Sequence, residues 1–259
     1  GQKNTLFIGM QLLMALSPAE MRSVLAHEFG HLSKNHSKFS GWIYRVRQSW
    51  NRVMLAFGSS SSFGAKLMRR FFDWDAPTFS AYSFALARNN EYEADKISAE
   101  LTSPKIAARA LINVHVNAPY IDQHFWDEYF IKADTSSAPE KAPFEALADF
   151  LKSSPLSREK MLHFLKQEMQ VETHYSDTHP ALKERISGLT DQAIIPKAFE
   201  TSAAEAFLGK QYPQVLKDFD KQWIENNLER WKSRFEYVQQ NQALLARHEN
   251  SDISELNDD

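Results

Sequence analysis

The stretch His27-Glu28-Phe29-Gly30-His31 decides how this chain folds and what it can bind, because it sets two histidines four residues apart around a glutamate. On a helix, positions i and i+4 lie on one face, so both imidazoles can reach one small ion. A carboxylate beside them can take the proton of a water that such an ion activates. The pentapeptide therefore nominates His27 and His31 as metal ligands and Glu28 as a general base.

A well-delimited helix surrounds this motif. The residues Ser17-Pro18-Ala19-Glu20 form a capping-box pattern with proline at the first helical position. Apolar residues then recur at spacings of three and four and predict a buried face, made of Met21, Val24, Leu25, Phe29 and Leu32. A chance match to the pentapeptide in a chain of this composition has a probability on the order of 1%, so its surroundings must decide between metal site and coincidence.

Composition narrows the function classes. The 259 residues are 43% hydrophobic, which suffices for a sizeable core, and the formal net charge of −3 gives no electrostatic case for nucleic-acid binding. Because the chain has no cysteine, a metal would be held by histidine and carboxylate. The longest apolar run, residues 6–16, is shorter than the roughly 20 residues that span a bilayer. Since Gly1 stands where an initiator methionine would, we expect further sequence upstream.

Helical patterns separated by proline, glycine and serine predict a mostly α chain. The predicted fold is α+β only through a small β element at residues 4–9. Helices are expected at 78–101, at 104–114 after Ser103-Pro104, and at 202–249 with one break at Pro213.

The predicted organisation has three parts, which a polar, proline-bearing linker at 134–143 helps to delimit. Residues 1–133 form the metal-binding core, residues 134–200 form a second helical half, and residues 201–259 form a helical extension with an acidic tail.

A third protein ligand is needed, since two histidines alone do not hold a catalytic metal. The best source is Arg88-Asn89-Asn90-Glu91-Tyr92-Glu93-Ala94-Asp95, where Glu91 and Asp95 are four residues apart on one predicted helix. Glu91 would supply an oxygen ligand, and Asp95 would accept the free N–H of a ligand histidine, with Arg88 beside them. The alternative is that Arg88, Glu91 and Asp95 form ordinary surface ion pairs.

These two motifs, followed by Thr178-His179-Pro180 and Arg185, resemble the zinc metallopeptidases that include HtpX and the type I CAAX prenyl endopeptidases. The resemblance covers residues 4–190 and implies a zincin-like core of the gluzincin type with one Zn²⁺ per chain. The residues that it maps are His27, His31 and Glu91 as zinc ligands, Glu28 as the catalytic base and Asp95 as support for a ligand. It also implies that His179 and Arg185 sit over the site and stabilise the tetrahedral intermediate. In some relatives that histidine is a fourth zinc ligand and holds the enzyme latent; a cap-region residue without a catalytic role is the alternative for His179.

The expected function is zinc-dependent hydrolysis of peptide bonds in protein substrates, in protein or membrane-protein quality control. An extended substrate would lie along Thr5–Ile8 if that strand were a free edge. One alternative is a zinc-loaded latent or inactive domain that acts as a chaperone or partner-binding module. The other is a purely structural helical domain in which the motif is a coincidence.

Partners follow from the same patterns. A polypeptide substrate is expected, and a protein partner at the C-terminal helices is a further expectation. The basic, aromatic segment 39–72 suits contact with a membrane surface, although a helix that covers the core would look similar. HtpX and the prenyl endopeptidases carry transmembrane helices and this chain does not. We therefore expect a soluble catalytic domain of a membrane-associated protein, with the cytoplasmic face favoured, or else a soluble branch of the family.

Overall fold

The computed structural model describes residues 5–33, 84–174, 177, 179–192 and 194–256, with side chains described except at 32–33 and beyond 247. The helices are α1 (Met10–Ala15), α2 (Pro18–Ser33), α3 (84–101), α4 (Pro104–Ile121), α5 (Asp127–Ile131), α6 (Pro143–Ser153), α7 (Arg158–Glu168), α8 (Leu182–Leu189), α9 (Ala203–Leu208) and α10 (Tyr212–Leu256). A π-helical turn, Asp122–Trp126, and two 3₁₀ turns, Lys132–Asp134 and Gly209–Gln211, complete the regular structure of these residues.

The prediction of a mostly α chain is confirmed, but the predicted small N-terminal β element is wrong. Residues 5–9, the described part of that element, belong to no strand, and Phe7 is 91% exposed. A strand requires a paired neighbour, which the β propensity of a short segment does not supply. The expectation that a substrate lies along an edge strand at Thr5–Ile8 loses its basis.

Both serine-proline signals mark helix starts, as predicted. Ser17 and Glu20 form the capping box, since the Ser17 N–H and hydroxyl donate to Glu20 Oε2 at 2.9 and 2.8 Å, and the Glu20 N–H donates back to Ser17 Oγ at 3.4 Å. The hydroxyl of Ser103 accepts from the N–H of Ile106 at 3.1 Å. The helix that follows extends to Ile121 and so exceeds the predicted range of 104–114.

The predicted helix break at Pro213 is misplaced. The chain turns at Gly209, whose φ of +50° lies in the region that favours glycine, and a 3₁₀ turn leads from there into α10. Pro213 occupies the first turn of α10, where the missing N–H removes no intrahelical hydrogen bond.

The chain divides into two compact units. Leu16–His115 and Leu162–Lys197 form one, here named the site unit because it carries every predicted site residue. Gly1–Ala15, Val116–Met161 and Ala198–Asp259 form the other, the long-helix unit. The predicted boundaries at residues 133 and 200 stay predictions.

A buried carboxylate organises the site unit. Glu20 is only 1% exposed, and it pairs with the Arg109 guanidinium at 2.7 Å and accepts from the Asn113 amide at 2.8 Å, both on α4. The N-terminus of α2 is thereby fixed to α4 by bonds that satisfy a buried charge.

Buried side chains of α10 bond to backbone groups of the long-helix unit. Trp231 of α10 is almost fully buried and donates its indole N–H to the carbonyl of Ser136 at 2.8 Å. Asp220 of α10 accepts from the backbone N–H groups of Phe144 and Glu145 at 2.6 and 3.2 Å, so it caps the N-terminus of α6. A cavity of about 650 Å³ lies beside α10, with Phe130, Trp223, Arg230, Trp231 and Arg234 among its lining residues.

None of the described helices is both long and apolar enough to cross a membrane. The segment 39–72, for which membrane contact was predicted, lies outside the described residues.

Candidate metal centre

Small residues line the contact between α2 and α3. The hydroxyls of Ser23 and Ser98 lie 2.6 Å apart, and Ser98 Oγ also donates to the Ser23 carbonyl at 2.8 Å. A Cβ atom added at Gly30 would lie 3.2 Å from the Cα of Ala94, which is closer than about nine in ten real contacts of this kind. The two helices therefore approach closely enough for short polar side chains on each to meet.

The buried face of α2 differs from the predicted apolar stripe. Met21 is buried as expected, but Phe29 is 55% exposed. The residues of α2 that are buried at helical spacing are instead Glu20, Ser23, Ala26, His27 and Gly30. Close packing against α3 favours small side chains, so it outweighs the apolar periodicity that the sequence presents.

His27, His31 and Glu91 bring three donor groups together between these helices. The Nε2 atoms of His27 and His31 are 3.1 Å apart. Glu91 Oε2 lies 3.5 Å from His27 Nε2, and Glu91 Oε1 lies 3.3 Å from His31 Nε2. These three residues form the group that could hold a metal ion among the described residues.

The spacing of these donor atoms matches a tetrahedral site. Nitrogen and oxygen ligands about 2.0–2.2 Å from a zinc ion, at tetrahedral angles, stand about 3.3 Å from one another. The three separations between the donors fall on both sides of that value, from 3.1 to 3.5 Å. Two imidazoles and one carboxylate are also the ligand types of catalytic zinc sites with one open position.

Asp95 and Arg185 lie behind the donor group. Asp95 Oδ1 is 2.9 Å from Nδ1 of His27, so it can accept the proton on that nitrogen and leave Nε2 free as a ligand. Arg185 donates two hydrogen bonds to the same carboxylate, from Nε to Oδ2 at 2.9 Å and from Nη2 to Oδ1 at 2.7 Å. The guanidinium is buried, with Nη2 also 3.6 Å from Glu91 Oε2.

His179 reaches the donor group from the segment before α8. Its Nδ1 lies 2.8 Å from Glu91 Oε2, while 58% of its side chain is exposed. Glu28 follows His27 on α2 and is half-buried. Arg88 lies one turn before Glu91 on α3, where it donates to Tyr92 OH at 2.8 Å and to Glu184 Oε2 at 2.5 Å.

Neighbouring groups in the site stabilise the charged forms of His27 and Glu91. Burial alone lowers the pKa of His27, but hydrogen bonds with Asp95 and Glu91 outweigh it and raise this pKa to about 9. Burial alone raises the pKa of Glu91, but His179, His27 and His31 outweigh it and hold this pKa well below its usual range. A cation bound by these residues would replace the proton on Nε2 of His27, because cation and proton compete for the lone pair of that nitrogen.

Comparison with the sequence models of known protein families assigns the chain to a family. The sequence model of peptidase family M48 matches residues 1–193 of the 259. The chain belongs to peptidase family M48. This family comprises zinc metallopeptidases, and the donor set of His27, His31 and Glu91 in this M48 peptidase fits that metal in ligand type and spacing. Comparisons with curated proteins and with solved structures find no match.

Several residues that shape the site of this M48 peptidase were not among those predicted from its sequence. Glu184 pairs with Arg88, which is 96 positions away, and no spacing rule connects them. Ser23 and Ser98 join α2 to α3 in the same long-range way. A detectable pattern did exist on α2, where Ser23, Ala26 and Gly30 recur at spacings of three and four and mark a face for close helix packing.

Gly30→Ala is expected to weaken zinc binding about tenfold, a loss typical of disturbed ligand support. The new methyl group would meet the backbone of Ala94 and the side chain of Ile97, so α2 and α3 must separate by a few tenths of an ångström. Helix propensity gains up to about 1 kcal/mol, which offsets much of the packing loss in the free energy of unfolding. Chelator competition measures the zinc affinity.

Gly188→Ala is the matched control, because Gly188 lies in α8 and no atom is within 4 Å of an added Cβ. It should leave zinc affinity unchanged. An unchanged affinity in Gly30→Ala as well would show that the close approach of the helices is not what holds the site.

Proposed function

We propose that this chain is a zinc-dependent metalloendopeptidase that hydrolyses peptide bonds of protein substrates. The observation that carries the proposal is the triangle of donor atoms from His27, His31 and Glu91, with sides of 3.1 to 3.5 Å, next to Glu28. Membership of peptidase family M48 supports the same reaction class.

Each side chain has a distinct task in the proposed reaction. His27, His31 and Glu91 would hold the zinc ion, which would supply a Lewis acid for the scissile carbonyl and for a water. Glu28 takes the proton of the attacking water and returns it to the leaving amine. His179 donates a hydrogen bond to the oxyanion that develops on the carbonyl oxygen.

Asp95 and Arg185 act through His27. Asp95 fixes the His27 tautomer in which Nε2 carries the free lone pair, and this support raises the basicity of the ligand. The resemblance implied direct contact between Arg185 and the tetrahedral intermediate. Because the guanidinium is buried and occupied by both oxygens of Asp95, we assign it a positioning role instead.

Protein or membrane-protein quality control is the setting that we propose for this activity. Resemblance to HtpX supports this setting. Membrane association, with contact through segment 39–72, is part of the same proposal, as is a protein partner at the C-terminal helices.

A second candidate is a latent zinc domain that serves as a chaperone or binding module. One observation favours it, namely the position of His179 Nδ1, 2.8 Å from Glu91 Oε2. An imidazole so close to the donor group is within reach of the fourth ligand position, where it would exclude water.

His179→Ala separates the two candidates. If His179 stabilises the oxyanion, the variant should lose about 10²- to 10³-fold in kcat for casein hydrolysis while keeping its zinc. If His179 blocks the site, the variant should gain activity. His163→Ala, on α7, is the control for the loss of one imidazole and should match the parent chain.

A further inference from the structure

Two adjacent residues of α8, which carry opposite charges, bond to one face of α3. Glu184 bonds to Arg88 and Tyr92, while Arg185 bonds to Asp95. On α3 these three partners stand at positions i, i+4 and i+7, which share a helix face. Asp95 of the Asp95–Arg185 pair contacts the proposed ligand His27. The pair at Arg88 lies on the other side of Glu91, one turn before it on α3, and has no task in the reaction described above.

The contacts at Arg88 form a closed triangle. Arg88 Nη2 donates to Glu184 Oε2 at 2.5 Å, Arg88 Nε donates to Tyr92 OH at 2.8 Å, and Tyr92 OH donates to the same Glu184 oxygen at 2.9 Å. Arg88 also approaches the ring of Tyr92, with its guanidinium carbon 5.7 Å from the ring centre. Two of these bonds end on the same carboxylate oxygen, and the third joins the two donors, so Glu184 is held by more than a single surface ion pair would supply.

Opposite polarity at neighbouring positions fixes the register of α8 on α3. A slip of α8 by one turn toward Asp95 would set the Glu184 carboxylate against another carboxylate and would take Arg185 from its partner. Like charges in contact oppose such a slip. Register matters because His179 precedes α8 by three residues and 58% of its side chain is exposed, so the position of α8 helps to place this imidazole.

We propose that Glu184, Arg88 and Tyr92 form a positioning cluster that holds His179 over the metal centre. The proposal rests on the proposed function, in which His179 contacts the reacting carbonyl oxygen. Among the described residues before α8, Ala181 is buried and its N–H donates to Thr173 Oγ1 at 2.7 Å. The cluster therefore fixes α8, and His179 lies in the short segment that leads into this helix.

Glu184→Gln should lower kcat for a casein-derived peptide about tenfold, since a misplaced catalytic group loses rate even when substrate still binds. KM should change by less than about twofold, and zinc content should stay at one per chain. Tyr92→Phe removes one hydroxyl with little risk to folding and should lower kcat about threefold. Lys183→Gln, a charge loss at an exposed neighbouring position of α8, should behave as the parent chain.

Charge reversal tests the pairing itself. Arg88→Glu and Glu184→Arg should each lower kcat more than Glu184→Gln does, and the double variant should recover to within about threefold of the parent. Hydrogen exchange of the metal-free protein gives a readout independent of activity. The peptide that carries His179 should exchange several-fold faster in Glu184→Gln, while peptides from α2 stay unchanged.

Two results would overturn the positioning role: parent-like kcat in both Glu184→Gln and Tyr92→Phe, or uniform acceleration of exchange throughout the site unit. Failure of the proposed function looks different, because the zinc-loaded parent chain would then hydrolyse nothing. In that case the exchange experiment still decides whether the cluster orders the segment that carries His179.

Discussion

Glu28→Gln is expected to lower the rate of casein hydrolysis about 10³-fold and to leave one zinc bound per chain. The substitution keeps the size of the side chain and removes its capacity to accept a proton. Since the donor atoms belong to His27, His31 and Glu91, the metal should remain. The rate is measured by release of labelled peptides, and the zinc by elemental analysis of the same sample.

Glu100→Gln is the control for the chemical change, because Glu100 is exposed near the end of α3. It should hydrolyse casein at the parent rate. Parent-like activity in Glu28→Gln would contradict the assigned base, whereas loss of zinc in that variant would show that Glu28 supports the metal.

Asp95→Asn is expected to weaken zinc binding by 10- to 100-fold, about the loss seen when the carboxylate behind a ligand histidine is removed. It should also lower the free energy of unfolding by about 3 kcal/mol, because the buried Arg185 loses the nearer of its two carboxylate partners, Asp95 rather than Glu91. Chelator competition measures the first effect, and urea unfolding of the metal-free protein measures the second.

The pH dependence of this pair has a definite sign. Burial alone raises the pKa of Asp95, but hydrogen bonds from Arg185 and His27 outweigh it and hold this pKa below the ordinary 3.8. A lowered carboxyl pKa means that the pair stabilises the fold at neutral pH and that the contribution declines as pH falls below about 4. Asp95→Asn should remove that part of the acid sensitivity.

Replacing both partners separates stability from metal support. Asp95→Asn combined with Arg185→Leu no longer buries an unpaired cation, so much of the unfolding free energy should return. Zinc affinity should stay low, because His27 still lacks its acceptor. Recovery of zinc affinity in the double variant would contradict the role given to Asp95.

Local signals in the sequence predicted the parts of the fold that local physics decides. Ser17 and Ser103 mark helix starts because a hydroxyl followed by proline satisfies the first backbone N–H groups whatever the tertiary context. The i, i+4 spacing likewise placed His27 with His31 on one face of α2. Selecting Glu91 needed the further rule that a metal site requires a third ligand.

Tertiary packing decided the rest. Phe29 fits an apolar periodicity, yet the close approach of α3 at Gly30 leaves that side of α2 to small and polar residues. The N-terminal segment has strand propensity without a strand partner among the described residues. The bonds of Glu184 and Arg185 to α3 join residues about 90 positions apart, and a single sequence carries no local trace of such pairs.

Zinc content of the purified chain, compared with that of Glu91→Ala, is the measurement that tests the metal centre most directly. The account predicts one zinc per parent chain and less than about a tenth of that in Glu91→Ala after dialysis against a weak chelator, because two histidines alone hold zinc poorly. A parent chain without zinc, or a Glu91→Ala variant that keeps a full equivalent, would contradict it.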